Sequence, residues 1–376
     1  MKNYLEQAAA RKKVKKTFLA ECKGKLCFAF DFGEYATKIA VAKVTKDKVE
    51  IKNLIVVEND ENHTRIDDSN IKEWRAKLSR VLAQHSLNTY GQIGLCSIGS
   101  RGYISRQLEI PYVKDEDREG LVAHEMSQIL SLDVDSYLFQ HKVKDIYESN
   151  GVQMCTVWAA AVSKKTCDNY YELLESLKLN PLVMDINING LERLFAADRG
   201  LEAQVQDKTV AVVDYGIRST EVSMFEGGIY RQGSNINLGE GRLVTAAKNV
   251  LGVQISNIHN GNKLVVSPQV IYDILKQAQT SDPARMFMTV VEDWISEINS
   301  AIKRYNINHP GKEVEALLLY GGSLQFPWLK AYLERYLDVP TTVVTALDCA
   351  AISGKTELTS NTIPQFLNAI GLFYIQ

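Results

Sequence analysis

Two short segments of this 376-residue chain share the residue types that grip phosphate, at the same spacing. Asp31-Phe32-Gly33-Glu34-Tyr35-Ala36-Thr37 and Asp214-Tyr215-Gly216-Ile217-Arg218-Ser219-Thr220 match at Asp, aromatic, Gly and Thr, and each lies between two apolar, strand-like runs. A strand–turn–strand of this kind presents backbone N–H groups and hydroxyls to phosphate oxygens, while its Asp holds a divalent cation, commonly through water. One Asp-x-Gly turn says little, because such turns are common between strands. Two in corresponding places imply an anion held from both sides of a cleft. Asp31, Gly33, Thr37 and Lys38 would come from one hairpin, and Asp214, Gly216, Ser219 and Thr220 from the other. A third element, Gly321-Gly322-Ser323, follows the apolar run 316–320. Glycines there let a backbone lie against a nucleoside, and the helix that follows can offer its N-terminus. Taken alone, the same residues would be an ordinary strand-to-helix turn.

Hairpins of this kind need sheets behind them. Strand-like patterns cover residues 26–31, 37–44 and 51–57. Asp68 and Ser69 can then cap a helix with Ile71, Trp74, Leu78, Val81 and Leu82 on one face, and a strand at 93–98 closes on Gly99-Ser100-Arg101-Gly102. A meander followed by a helix and a strand predicts a mixed sheet rather than a doubly wound one. Residues 103–180 read as strand, helix, strand, strand and helix, the last stopped before Asn180-Pro181. That is a compact unit inserted in the first lobe. A second lobe begins with strands at 210–213, 221–225 and 229–233, then helices at 241–251 and 268–275. A long amphipathic helix over 286–306, a strand at 316–320, a helix at 328–336, a strand at 341–344 and a helix from Pro364 complete it. The expected division is a basic extension (1–25), a first lobe (26–102 plus 181–205), an inserted subdomain (103–180) and a second lobe (206–376), in a mixed α/β fold.

Composition narrows the class. The chain carries 43 Lys+Arg against 45 Asp+Glu and is 45% hydrophobic, which is the balance of a folded globular protein rather than a disordered one. No apolar stretch approaches the ~20 residues of a membrane span, and the basic N-terminal segment lacks the apolar core of a signal peptide. Six cysteines without a tight pattern point to a reducing compartment rather than a disulfide framework. Residues 1–25 hold eight Lys/Arg against Glu6 and Glu21, a net of +6, so the body carries −8 of the total −2. An acidic body argues against a nucleic-acid-binding face. The basic segment is either a solvated extension or, through residues 1–20, a contact with anionic lipid.

With these residues in place the chain resembles the actin/Hsp70-like ATPase superfamily. Within it the chain resembles the PilM family of type IV pilus assembly proteins, relatives of the cell-division protein FtsA. The matching segments are RQLEIP at 106–111, His124-Glu125-Met126, LLESLKLNP at 173–181, Asp214 to Thr220, Arg231 to Leu243, Leu319 to Gly322, Leu329 to Pro340, and Ala369 to Leu372. The resemblance implies a two-lobed actin-like ATPase fold in which 103–180 is the FtsA/PilM-type inserted subdomain. It implies ATP with Mg²⁺ between the lobes and slow or absent hydrolysis. Asp31 and Asp214 would lie on the metal side, and Gly239, Gly321, Gly322 and Ser323 would complete the nucleotide site. It also implies a cytoplasmic protein at the inner face of the membrane, binding the N-terminal cytoplasmic segment of a PilN-like protein in a groove within residues 103–165 and serving pilus assembly ATPases. An FtsA-like polymerising protein is the alternative, and a sugar or acid kinase of the superfamily is a third reading.

Two residues depart from that pattern. Glu34 stands where a small or hydroxylated residue is usual, and Gly239-Glu240-Gly241 replaces a Gly-Gly pair. A carboxylate about 5 Å from a phosphate costs on the order of 3 kcal/mol per charge pair at an effective dielectric of ~20. Arg218 is a candidate to offset it. Gly354-Lys355-Thr356 is not a P-loop, since Cys349 occupies the position of its first Gly. Cys22 and Cys27 lack the second ligand pair of a zinc site.

Overall fold

The computed structural model describes residues 13–59, 65–251, 282–322, 327–353 and 362–375. The expected helix over 268–275, Ser323, the 354–356 motif and residues 1–12 lie outside them.

A helix over residues 13–22, α1, leads into strands β1 (Cys27–Phe32), β2 (Ala36–Val44) and β3 (Val49–Glu58), helix α2 (Ile71–Gln84) and strand β4 (Ile93–Ile98). Next come β5 (Tyr103–Pro111), α3 (Asp115–Leu130), β6 (Tyr137–Ser149), β7 (Val152–Ser163), α4 (Lys164–Ser176), β8 (Asn180–Ile186), α5 (Asn187–Ala197) and α6 (Arg199–Val205). The second half holds β9 (Thr209–Tyr215), β10 (Thr220–Glu226), β11 (Ile229–Ile236), α7 (Glu240–Leu251), α8 (Asp282–Asn308) and β12 (Ala316–Tyr320). It ends with α9 (Pro327–Leu337), β13 (Thr341–Val343), β14 (Ala350–Ile352) and the short α10 (Leu367–Ile370).

The strands of the described residues form three sheets, and two of them repeat one topology. The first runs β14-β3-β2-β1-β4-β8 and the second β11-β10-β9-β12-β13. In both, an antiparallel meander feeds a central strand, β1 or β9, that pairs in parallel with the strand on its other side. Asp31 and Asp214 therefore occupy equivalent places near the ends of the two central strands. Alternation along β1 sends Phe28 and Phe30 to a core under α2 and α4, and Cys27 and Ala29 to the opposite core, against α5 and the C-terminal turns. Covering on both faces explains why β1 and β4 read as continuous apolar runs rather than alternating ones.

The third sheet, β5-β7-β6, is the inserted unit. Its β6–β7 hairpin turns on Asn150-Gly151, both at positive φ (51° and 75°), the backbone that a tight two-residue turn demands. Leu108, Ile110, Val122, Met126, Cys155, Val157, Ala159 and Ala161 give this unit its own core beneath α3. Trp158 and Ala160, on the other face of β7, turn toward α5 and the second lobe.

Three sequence boundaries shift. Helix α4 packs Leu173 and Leu174 into the first-lobe core with Phe28 and Phe30, so the insert ends after β7 rather than at 180. Strand β14 pairs in parallel with β3, and Phe366, Leu367, Ile370 and Phe373 fill the same core as α5, so the C-terminal residues return to the first lobe. Lys13, Lys15 and Lys16 on α1 are exposed, but Phe18 and Cys22 are buried in that core, so residues 13–22 are docked rather than frayed. Phe18→Ala should lower the unfolding free energy by about 3 kcal/mol in urea titrations. An unchanged midpoint would mean that α1 contributes nothing to the first-lobe core.

Candidate functional site

The two hairpins meet across a cleft of about 1430 Å³, lined from the first lobe by Asp31, Gly33, Glu34, Tyr35 and Lys38 and from the second by Asp214, Gly216, Ile217, Arg218 and Ser219. In each lobe the residue cross-strand to the Asp is charged. Asp31 opposes Lys38, and Asp214 opposes Glu221. The sheets thus deliver three carboxylates and one ammonium to one buried region. Lys38 Nζ is 4.0 Å from Asp31 Oδ2, and Asn368 Nδ2 donates to Asp214 Oδ2 at 3.2 Å. Glu221 accepts from Asn187 Nδ2 at 2.8 Å, a contact that crosses from α5 to the second lobe.

Burial sets the protonation of this cluster. It pushes the Asp31 carboxyl up against the opposing pull of Lys38 and the Asn368 amide. Burial likewise raises Asp214 to about 6; Lys38 opposes the shift and the Asp31 charge adds to it. Glu221 is raised to about 7 by burial and by Asp214, in spite of hydrogen bonds from Asn187 and Ser223. Carboxyl groups held this way gain from a cation placed among them, because each can then ionise at lower cost.

The threonines that match between the hairpins do a different job from the one their spacing suggested. The Thr37 hydroxyl is buried and donates to Asn59 Oδ1 at 3.1 Å. Asn59 in turn donates from Nδ2 to the Gly33 carbonyl at 2.6 Å and from its backbone N–H to the Tyr35 carbonyl at 2.8 Å, tying the first turn to the end of β3. The Thr220 hydroxyl donates to the Leu238 carbonyl at 2.7 Å and accepts from Trp294 Nε1 at 2.8 Å. Both threonines pin their hairpins instead of reaching the cleft. Ser219 does line it.

The glycines divide similarly. Gly322 lines the cleft. Gly321 does not, but its φ is +120° and a Cβ there would lie 2.6 Å from Asp214 Oδ1, so only glycine fits beside that carboxylate. Gly239 packs under the second turn, where a Cβ would fall 2.5 Å from the Gly216 carbonyl oxygen. The next two backbone N–H groups, of Glu240 and Gly241, donate to the carbonyls of Gly216 and Ile217 at 3.0 and 2.8 Å. The first turn of α7 thus spends orphan donors on the hairpin.

Glu34 is paired. Its Oε1 accepts from Arg101 Nη1 at 2.6 Å, so Arg101, not Arg218, offsets the added charge. Glu240 is buried at the N-terminus of α7, where the helix dipole favours a carboxylate. The sequence reading missed Glu221, Asn368, Asn59, Asn187 and Arg101. The strand alternation that carries Glu221 to the residue opposite Asp214 could have identified one of them.

Unfolding returns Asp214 and Glu221 to ordinary values near 4. Between about pH 4 and pH 7 the folded protein therefore holds protons that the unfolded chain has lost, and this contribution to stability falls as pH rises. Asp214→Asn and Glu221→Gln should each make the stability change across that window less negative than in the wild type, measured by urea unfolding at both ends. An unaltered difference would mean that these carboxyls are not shifted.

Similarity to known proteins agrees with this architecture. The solved structure of a PilM–PilN type IV pilus biogenesis complex superposes with a TM-score of 0.73 at 17% identity, over 93% of this chain and 97% of that one, which gives the chain the actin-like ATPase fold. Ethanolamine utilization protein EutJ from Carboxydothermus hydrogenoformans aligns at a TM-score of 0.49 and 10% identity, over 93% and 90% of the two chains. MreB 5 of Spiroplasma citri, solved with AMPPNP, aligns at 0.43 and 8%, over 85% and 91%. No curated protein sequence matches. Among the described residues no helix is long and apolar enough to cross a membrane. The family model of the type IV pilus assembly protein PilM matches residues 29–245, from the first Asp hairpin through the inserted sheet to the second, and the chain belongs to that family.

Proposed function

We propose that this protein is a nucleotide-binding scaffold of type IV pilus assembly, holding Mg-ATP between its lobes with slow or no hydrolysis. The observation that carries this reading is the convergence of two equivalent Asp hairpins on one cleft in a chain of the PilM family. The residues present suit the ligand. Mg²⁺ characteristically takes one or two carboxylates and fills its other positions with water and phosphate oxygens. Asp31 and Asp214 supply such a pair, and no group of three metal-binding side chains occurs among the described residues. Magnesium would add charge stabilisation of the phosphates. The chain's own contributions are the Lys38 ammonium beside Asp31, the turn residues that line the cleft, and Gly322, which keeps the second-lobe wall clear of a side chain.

The partner in this reading is the N-terminal cytoplasmic segment of a PilN-like membrane protein, bound between the first lobe and the inserted sheet. Strand β5 is an edge strand of that sheet and can accept an extended peptide by strand addition. Such a protein works at the cytoplasmic face of the inner membrane, beside the pilus assembly ATPases, with the basic N-terminal residues against anionic lipid.

Calorimetric titration of Mg-ATP into the full chain tests the cleft. We expect micromolar binding, reduced at least about tenfold in Asp31→Ala and in Asp214→Ala, the loss that follows from removing a metal-side carboxylate. Wild-type protein that takes up no Mg-ATP would sink the nucleotide reading and leave a scaffold without a ligand.

A further inference from the structure

Arg101 holds both walls of the cleft with one guanidinium. It sits in the connection between β4 and β5, lines the cavity, and donates from Nη1 to Glu34 Oε1 on the first hairpin at 2.6 Å. From Nη2 it donates to Asn237 Oδ1, between β11 and α7 of the second lobe, also at 2.6 Å. Next to it, Ser100 Oγ donates to Asn235 Oδ1 at 3.0 Å. The planar fork of a guanidinium matches two acceptors at once and accepts carboxylate and phosphate oxygens with the same geometry.

Glu34 is the unusual member of this trio. A carboxylate at the tip of a phosphate-gripping turn repels the ligand that the turn is shaped to receive, and here it already occupies the cation a phosphate would seek. The Arg101 and Glu34 side chains keep 35% and 26% of their accessibility, so water reaches the pair and the link is weak enough to exchange.

We propose that Arg101 is an anion-binding residue of the cleft whose counter-ion in the ligand-free chain is Glu34, and that a phosphate group of an incoming polyphosphate takes Glu34's place on the guanidinium. This rests on the reading of the cleft as a phosphate site. The exchange replaces one anion by another, so Arg101 is never left unpaired, and its second arm to Asn237 keeps the second lobe engaged throughout. Glu34 is thereby a built-in competitor that sets how strongly a phosphate must bind before it is admitted.

The test uses the full chain as wild type, Glu34→Gln, Arg101→Ala and Arg101→Lys. Each is followed by amide hydrogen exchange over 99–103 and 234–238, and by calorimetric titration with Mg-ATP and, separately, with inorganic tripolyphosphate. Without ligand, Glu34→Gln should exchange about fivefold faster in both segments, as expected when one arm of an exposed pair is removed. Both anions should bind Glu34→Gln about tenfold more tightly than wild type and Arg101→Ala about tenfold more weakly, with Arg101→Lys between them, because it keeps the charge and loses the fork. Equal Mg-ATP affinity in all four proteins would overturn the proposal and leave the nucleotide reading intact. Tripolyphosphate binding in the expected order, with no binding of Mg-ATP, would sustain the proposal and sink the nucleotide reading. Failure of every protein to bind either anion would overturn both.

Discussion

Two carboxylates that water would keep apart are forced together at the ends of β1 and β9, and much of the architecture exists to make that tolerable. Burial raises the pKa of Asp31, Asp214 and Glu221, and the neighbouring carboxylate adds to the shift at Asp214 and at Glu221. The protein answers with one ammonium, Lys38, and two neutral amides, Asn368 and Asn187. Within this cluster three acids face one base; Arg65, Lys77, Arg101 and Arg218 also line the cleft, together with Glu34, Glu58 and Glu240. The two lobes have the same sheet topology, so the imbalance comes from a single asymmetric choice, Lys38 in one lobe and Glu221 at the equivalent position in the other.

Keeping the hairpins rigid takes a second layer of contacts, and the lobes solve this differently. The first turn is held by one residue, Asn59, through two side-chain hydrogen bonds and one from its backbone N–H. The second is held from below by the first amides of α7 and from behind by Trp294, which packs at a tilt against Tyr215 and donates to Thr220. Trp294 belongs to α8, whose Phe287, Val291, Ile295 and Ile298 fill the second-lobe core. The position of the second hairpin is therefore fixed by the packing of a 27-residue helix, whereas the first depends on a few polar contacts.

The legible parts of the fold and site are those written in local pattern. The Asp-x-Gly turns, the apolar strands behind them, the long amphipathic helix and the inserted unit all follow from residues close in sequence. What escaped depends on partners far apart in the chain. Asn368 reaches Asp214 across 154 positions, and Arg101 reaches Glu34 across 67. Their residue types carry no spacing signal, since an Asn or Arg in a loop is ordinary. The threonines misled for the opposite reason. Their matching offsets mark a shared need to fasten a turn, which looks the same in sequence as a shared need to hold a ligand. The α4 boundary failed because Leu173 and Leu174 make an apolar face without saying which sheet it covers.

Helix α5 joins these regions physically. At its start Asn187 donates into the cleft to Glu221. Five residues on, Glu192 pairs with Lys142 and Lys144 of β6 and accepts the backbone N–H of Tyr230 on β11 at 2.9 Å. Burial pushes the Glu192 carboxyl up, but the two lysines outweigh it and hold the group below its ordinary value, so it stays ionised. Asp145 on the same β6 strand pairs with Arg231 of β11 at 3.0 Å, and Trp158 of β7 packs edge-on against Tyr230 with ring centres 4.9 Å apart. The inserted sheet is thus fastened to the second lobe as well as to the first. Five residues of helix rise only about 7.5 Å, too short and stiff for the cleft end of α5 to move independently of the Glu192 end. Helix α5 therefore touches the cleft through Asn187 and the insert through Glu192, while Tyr103, Ile104, Tyr137 and Ala161 of the insert line the cleft themselves.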